Sequence, residues 1–487
     1  VRGGGQIFEL INDCDFSSPY SSEGTPNRTK IPNLDGRGII QNYTITKREV
    51  IVNGVTKVFK KEITDIDSKP FAKVFLPERN VLGVTSVIEK NGLSYTTLPS
   101  NLEFINAKND KWYEVNALAE SEIFEIDPAI PADRPGMKSG KYILTENRFI
   151  TEFTPEGFFF LTFGNGNNKS QNLLNDFAKY GVKVNLNKFV NNISLGSVVR
   201  PNTTLFIQYR VGGGKASNLG AGAINSLGVL DFVVSGPVTS INSSVRNSLK
   251  VNNVTSAIGG DEQMSTEEIR NYIAFNFSAQ NRAVTINDYV NKIRTMPSQY
   301  GAAAKVGVTE IENKVKVSIL SYTPDGALSS SVSSTLKNNI SEYLSNYRMI
   351  NDYIEISSAN VIDLGLELDI VITNNANQGE IVGNVINKIT QFFNVDAHEM
   401  GETISLSEVY GEVSKQDGVL NVIDVRVYNN TGDGYSNSKT SQPTTSNNKI
   451  VTTDQALFFL PDEIPQIRYP DVDVRVRVKQ ISRPNIS

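Results

Sequence analysis

The period of the hydrophobic pattern changes once along this 487-residue chain, near residue 259, and that change constrains the fold more than any single motif. Up to about residue 230 the apolar residues come in short or alternating runs, at 45–52, 55–59, 81–88, 158–163 and 205–209, separated by turn residues. A period of two turns one face of a strand inward, so this half predicts β structure. Asn53-Gly54 and Asn91-Gly92 have the composition of type I′ hairpin turns, whose central residues need positive φ. The helical signal is confined to 172–180, where Leu173, Leu174 and Phe177 share a face. The proline-rich stretch 127–136 predicts a connection between two β layers.

After residue 259 helical and strand periods alternate. Ser265-Thr266-Glu267-Glu268 is a capping box, with a hydroxyl and a carboxylate placed to satisfy two orphan N–H groups. A helix through Ile269, Ile273 and Phe277 follows, and Thr285 opens a second carrying Tyr289, Val290 and Ile293. Then come a strand at 315–320, a hairpin around Glu312-Asn313, and a helix through Val332, Leu336, Ile340, Leu344 and Tyr347. Residues 361–372 alternate cleanly as a strand. Ile381, Val385, Ile389 and Phe392 mark a helix; Leu406, Val409 and Val413 mark a shorter one; and 420–427 closes as a strand. This order predicts an α+β sandwich. Residues 429–448 are Ser, Thr, Asn and Gly with little else, which predicts a long loop or mobile linker. Strand patterns return at 456–460 and 471–479. In the second, Val472, Val474, Val476 and Val478 face one way, and Asp471, Asp473, Arg475, Arg477 and Lys479 the other.

The chemistry open to the chain is narrow. It holds one His, one Cys and one Trp, and 47 Lys plus Arg stand against 52 Asp plus Glu for a net charge of −5. One Cys excludes a disulfide framework and any multi-cysteine zinc site, and fits a reducing compartment. One His excludes the usual two- and three-histidine metal centres. The balance of charge leaves no basic footprint for nucleic acid. No apolar run approaches the length of a membrane helix. Sequons at Asn27, Asn202 and Asn253 carry no signal in a chain so rich in Asn, and a first residue of Val1 suggests a fragment or a processed product.

Four places invite a chemical reading. Gly212-Gly213-Gly214-Lys215-Ala216 has phosphate-loop colouring, but Tyr209 stands where the first Gly belongs and Ala216 replaces the hydroxyl residue. The bland alternative is a loop needing positive φ and close backbone approach. Asn429 to Gly434 resembles a calcium loop with one carboxylate where several are needed, which favours a turn. His398 reads as an exposed or capping residue, and Cys14 lies between Asp13 and Asp15, whose charges raise rather than lower a thiol pKa. The charged face at 471–479 is either a solvated edge or an arm that adds a strand to a neighbouring subunit. No enzyme emerges from these residues, and no cofactor or metal is expected.

Three consecutive stretches carry a resemblance. The first is Leu161-Thr162-Phe163-Gly164-Asn165-Gly166. The second runs from Arg200-Pro201 through Tyr209-Arg210-Val211-Gly212-Gly213-Gly214 to Asn218-Leu219-Gly220 and Gly222. The third runs from Asn253-Val254-Thr255 through Gly259-Gly260-Asp261-Glu262 to the capping-box helix, and Ala283-Val284 with Asp288-Tyr289 continues it. Together they resemble the Baseplate J-like family of contractile-tail phages over roughly 155–430, with Asn165 where Asp is common and Ser217 interrupting the small-residue spacing. The long β-rich start is most similar to the ring-forming wedge branch found in T-even phages.

The resemblance implies a structural tail-baseplate subunit of the virion, assembled in the host cytoplasm. Its expected partners are itself, as dimer and ring, and other wedge proteins, with neither nucleic acid nor membrane. Gly164, Gly166, Gly212, Gly213, Gly214, Gly259 and Gly260 become structural turns. The expected class is multidomain α+β: a β-rich domain at 1–150, a β-rich joining domain at 151–258, an α+β association domain at 259–428 using apolar helix faces for self-contact, a linker at 429–448, and a C-terminal arm at 449–487 whose Arg475, Arg477 and Lys479 are candidate interface residues. The alternatives are a tail adhesin or polysaccharide-degrading tail protein, and the equivalent subunit of a bacterial contractile injection system.

Overall fold

The structure is a computed structural model. It describes residues 1–479 apart from 12, 21–25, 108–109, 127–139, 155, 167–194, 229, 231, 234–239, 263, 279–281, 312–313, 374–376, 433 and 453–454. The expected helix at 172–180, the proline-rich connection at 127–136 and the turn residues Glu312 and Asn313 therefore lie outside the described residues. The chain is mixed α+β, as its periodicity predicts, and divides into two units, Val1–Gly212 and Gly213–Ser487.

The first unit is built on a seven-stranded sheet. Its spatial order is Val55–Ile63, Thr203–Val211, Val81–Asn91, Lys111–Glu114, Arg148–Phe153, Phe159–Phe163 and Lys73–Phe75. Thr203–Val211 pairs antiparallel with Val55–Ile63 over its whole length and with Val81–Asn91 on its other edge, so it is shielded on both sides. Residues 203–207 are all buried, which accounts for the unbroken apolar run Leu205-Phe206-Ile207 within it. Leu205, Ile207 and Tyr209 face a core with Trp112, Phe149, Leu161 and Phe163. Phe206 faces the opposite side, where it meets Ile88 and Phe104 of the helix Asn101–Asn106. Trp112 packs edge-on to Phe163 with ring centroids 4.9 Å apart. The sheet takes strands from both sides of residue 150, so the expected boundary there falls inside it.

The two Asn-Gly pairs are not hairpin turns. Asn53 ends a strand that pairs with Gln6–Leu10, whereas Val55 begins one that pairs with Thr203–Val211. Gly54 (φ +110°) is where the chain passes from one sheet to the other, and a Cβ there would lie 2.7 Å from the Val211 carbonyl oxygen. The glycine is required by close approach rather than by a type I′ turn. Gly92 likewise ends a strand, donating its N–H to the Asn202 carbonyl at 2.9 Å.

The second unit holds two sheet-and-helix layers where one sandwich was expected. In the first, Lys314–Tyr322 lies between Lys305–Ile311 (antiparallel) and Tyr353–Ser358 (parallel). The helices Ile286–Arg294 and Ser334–Ser345 cover this sheet through Tyr289, Ile293, Leu336, Ile340 and Leu344. In the second, Asn360–Ile372 is central. Val419–Asn430 runs antiparallel on one edge, and Glu463–Gln466 and Val474–Val478 run parallel on the other. The helices Gln378–Phe392 and Leu406–Ser414 bury Ile381, Val385, Ile389, Leu406, Val409 and Val413 against it. Ala304, Leu320, Tyr322, Leu328, Ala359, Val361 and Ile464 join the layers.

The expected capping box at Ser265 forms, and the structure adds a second at Thr285. The Ser265 N–H and hydroxyl each donate to Glu268 at 2.8 Å, and Thr285 and Asp288 cap each other at the next helix. The C-terminal segment is not a free arm: Val474–Val478 adds its strand to its own chain's sheet. Burial of Val474, with Val476 and Val478 packed beside it, supplies the driving force. In helix Gln378–Phe392, an ideal Cβ on Gly383 meets nothing within 4 Å. Gly383→Ala is therefore expected to stabilise the protein by about 0.5–1 kcal/mol, read as a higher urea midpoint at unchanged slope.

Candidate functional site

The glycine loop that most resembles a phosphate site is filled by the chain's own groups. Gly213 and Gly214 adopt φ of +87° and +81°, and the turn Lys215–Ser217 follows. The Lys215 amide, which a phosphate would need, donates to Glu262 Oε1 at 3.0 Å. The Lys215 ammonium lies 4.0 Å from Asp261, 3.9 Å from Asp396 and 4.1 Å from the centroid of the Tyr322 ring. Two carboxylates and a ring face thus take up the cation, and the nucleotide reading falls.

The same loop is locked to the third motif stretch. Asn218 is fully buried; its Nδ2 donates to the Gly260 carbonyl at 2.9 Å, and its Oδ1 accepts the Gly260 N–H at 2.8 Å. A side-chain amide used at both ends in this way replaces a peptide neighbour in a β ladder. Leu219 and Ala257 exchange both backbone hydrogen bonds next to it, at 3.0 and 2.8 Å. Asn253 then holds the far side, donating to the carbonyls of Gly220 and Thr255 and accepting the Ile224 N–H. An ideal Cβ on Gly260 would lie closer than 3.0 Å to both the Ser217 hydroxyl and the Gly214 carbonyl. Gly259 offers its carbonyl to the Ala302 N–H at 2.9 Å, tying the clasp to the first sheet layer. In the first unit, Gly164 and Gly166 donate to Ser197 and Gly196, and Asn165 accepts the Leu195 N–H at 3.2 Å. Each quoted glycine sits where backbone meets backbone or where φ is positive.

A group of charges stands beside the clasp. Arg294 reaches both oxygens of Glu399 at 2.9 and 3.0 Å. Lys305 is almost wholly buried and donates to the His398 carbonyl at 2.6 Å and to Glu399 at 3.3 Å. Burial lowers the Lys305 pKa, with Glu399 opposing. Burial also raises the Asp261 carboxyl and pushes up Tyr322, whose hydroxyl donates to Asp396 at 3.0 Å and whose rise Asp261 and Asp396 reinforce. Of the two expected placements, exposed or capping, His398 takes the second: it is buried and forms the C-cap of the short turn Val395–Ala397. Its ring stands against Phe392 and Phe393, with Nδ1 3.1 Å from Glu402 and Nε2 2.8 Å from the Phe392 carbonyl. Both nitrogens face groups of this chain, so the ring acts as a packed connector. The Cys14 thiol is pushed up by burial and then by Glu49, which keeps it from thiolate chemistry. Among the described residues no three His, Cys, Asp or Glu side chains converge as a metal site, and no helix is long and apolar enough to cross a membrane.

Arg475, Arg477 and Lys479 face the acidic row of the adjacent strand. Arg477 lies 3.1 Å and Arg475 3.9 Å from Glu367, and Lys479 lies 3.7 Å from Asp369. Arg426, from the opposite edge, approaches Asp369 at 3.0 Å as a charge contact without a directed hydrogen bond. The described residues between 431 and 448 are clipped down by three buried acids that sequence reasoning missed. Asp363 accepts the Ser436 N–H, Asp473 accepts from Asn430 and the Tyr435 hydroxyl, and Glu463 accepts from Ser441. Asn429 and Asn430 end the strand Val419–Asn430 rather than open a turn, and they bond to Thr440, Asp363 and Asp473 of this chain, while Asp433 lies outside the described residues.

No family model matches this sequence, and no curated protein matches it. Among solved structures, a chain of the anti-feeding prophage baseplate, determined by cryo-electron microscopy and 6-fold symmetrised, aligns with a TM-score of 0.30 at 9% identity. That alignment covers 85% of this chain and 76% of that one. A TM-score at this level assigns neither fold nor role.

Proposed function

We propose that this chain is a structural subunit of the baseplate of a contractile tail or injection machine, in the wedge or inner ring. It self-associates around the tube, binds other wedge proteins and shifts with them when the sheath contracts. The observation that carries this reading is the clasp. The second and third stretches of the family resemblance hold each other through Asn218 and Gly260, so their residues serve architecture rather than a ligand. Charged groups beside them are likewise spent on one another, as at Arg294, Lys305 and Glu399. Rigid layers of this kind pivot as bodies at subunit interfaces when an assembly switches state.

Deletion of the coding sequence, followed by electron microscopy of lysates, tests the role. Loss of complete tails, restored by the wild-type chain supplied in trans, is the expected result. Normal, contractile tails in the deletion strain would overturn it.

A further inference from the structure

The strands Arg28–Leu34 and Ile40–Lys47 form a two-stranded antiparallel ribbon and, among the described residues, pair with no other strand. The base of the ribbon is fastened to its own chain. The Arg28 guanidinium donates to the carbonyls of Phe16 and Ser17, and the Lys47 ammonium to those of Asp15 and Tyr20. The two outer edges differ. The Arg48 N–H donates to the Asn27 carbonyl, so Arg28 and Lys47 face each other as a non-hydrogen-bonded pair; by alternation Lys30 with Ile45 and Pro32 with Tyr43 do the same. The backbone groups of these residues therefore point away from the ribbon. On the first edge the central residue is Pro32, which has no N–H to offer, and the cations Arg28 and Lys30 precede it. On the second edge Tyr43 and Ile45 turn N–H and C=O outward, and among the described residues no group takes them up. Their side chains are 47% and 40% exposed, and residues 39–46 carry no charge.

An open strand edge is completed by another extended strand. We propose that the edge Ile40–Lys47 pairs antiparallel with the same edge of a second copy, about a twofold axis at Thr44. The edge matches itself. A twofold axis at Thr44 sets Tyr43 opposite Ile45 of the second copy, and both residues have their N–H and C=O free for the exchange. Aromatic and β-branched side chains paired across strands are favourable neighbours. Thr44 then meets Thr44, and no like charges stand opposite: Lys47 faces Gln41, and its ammonium is held by its own chain. A ribbon of two strands alone is marginal in water, and joining two ribbons relieves that. Pro32 blunts the outer edge on each side of the joined sheet, so the contact closes as a dimer rather than growing into a fibre. This deepens, and rests on, the self-association in the functional reading.

Sedimentation velocity on the full chain, from low to high micromolar concentration, tests the contact. The wild type is expected to pass from monomer to dimer. Thr44→Lys and Thr44→Glu, at an exposed position, each set like charges on the axis and should weaken the dimer several-fold; the two variants mixed should regain it. Ile45→Pro removes an outward N–H from each copy without touching a bond inside the ribbon, and should weaken the dimer by about tenfold. In a Cys14→Ser background, Thr44→Cys should give a disulfide-linked dimer on oxidation, because a non-hydrogen-bonded antiparallel pair lies within disulfide reach. Thr29→Cys, on the strand of Pro32, should not. Circular dichroism confirms that each variant is folded. A wild type that stays monomeric at high micromolar concentration overturns the proposal. So do Thr44 and Ile45 variants that dimerise like wild type, a mixture that regains nothing, and cross-linking at Thr29 as ready as at Thr44. Association indifferent to Thr44 in a chain still required for tails defeats the edge contact alone. Thr44-dependent dimers of a chain dispensable for tails defeat the functional reading alone.

Discussion

Gly260→Ala is expected to lower the unfolding free energy by about 3 kcal/mol, the upper range for forcing extra volume into a packed site. Its Cβ would overlap the Ser217 hydroxyl and the Gly214 carbonyl and would also lie 3.1 Å from Asn218 Oδ1. The backbone on one side must retreat, and retreat breaks the two Asn218 hydrogen bonds that fasten the stretches together. Buried donors and acceptors left unpaired add to the cost. Gly220→Ala, a few residues along the same clasp with nothing within 4 Å of its Cβ, should be near neutral. Urea unfolding followed by circular dichroism compares the two. Equal midpoints would show that Gly260 is not a point of close approach.

The second large effect lies in the first unit. Glu89 is 1% exposed and accepts from the Trp112 indole at 3.1 Å, the Arg200 N–H at 2.8 Å and the Thr203 hydroxyl at 2.9 Å, with the Arg200 Nε at 3.2 Å. The Arg200 side chain is half-exposed, so the cost lies in the donors the carboxylate satisfies: each one left unpaired costs about 1–3 kcal/mol, about 3–5 kcal/mol together. Glu89→Ala should therefore cost that much, and Glu89→Gln less, since the amide oxygen still accepts. Trp112 is the sole tryptophan, so its fluorescence reports this unit directly. The Ala variant should show its red shift at clearly lower urea. A midpoint within error of wild type would mean that the carboxylate is not holding the indole.

Much of the second unit was legible because its helices announce both their ends and their faces. The capping box at Ser265, the helix start at Thr285 and the stripe Ile381, Val385, Ile389 depend on local chemistry, and they form as read. What stayed hidden depends on partners distant in sequence. Asn53-Gly54 has hairpin composition, yet Gly54 answers to Val211, far along the chain. The Ser- and Asn-rich stretch after residue 429 looks like a linker because its anchors, Asp363, Glu463 and Asp473, lie outside it. Polarity alone does not separate a solvated loop from one held by buried acids. Arg475, Arg477 and Lys479 show the same limit: alternation placed them on one face, but not opposite Glu367 and Asp369. At the candidate site the glycines and Asn218 were visible as a motif, whereas their mutual grip, which turns a phosphate-like loop into a joint, is tertiary.

The central claim is that this chain works as an architectural subunit of a tail baseplate. Cryo-electron microscopy of intact tail particles from the cells that encode it tests that most directly. The account predicts density for several copies of this chain encircling the tube at the baseplate, with the Asn218–Gly260 clasp closed in each. Tail ends with no density for the chain, or density confined to peripheral fibres, would contradict it.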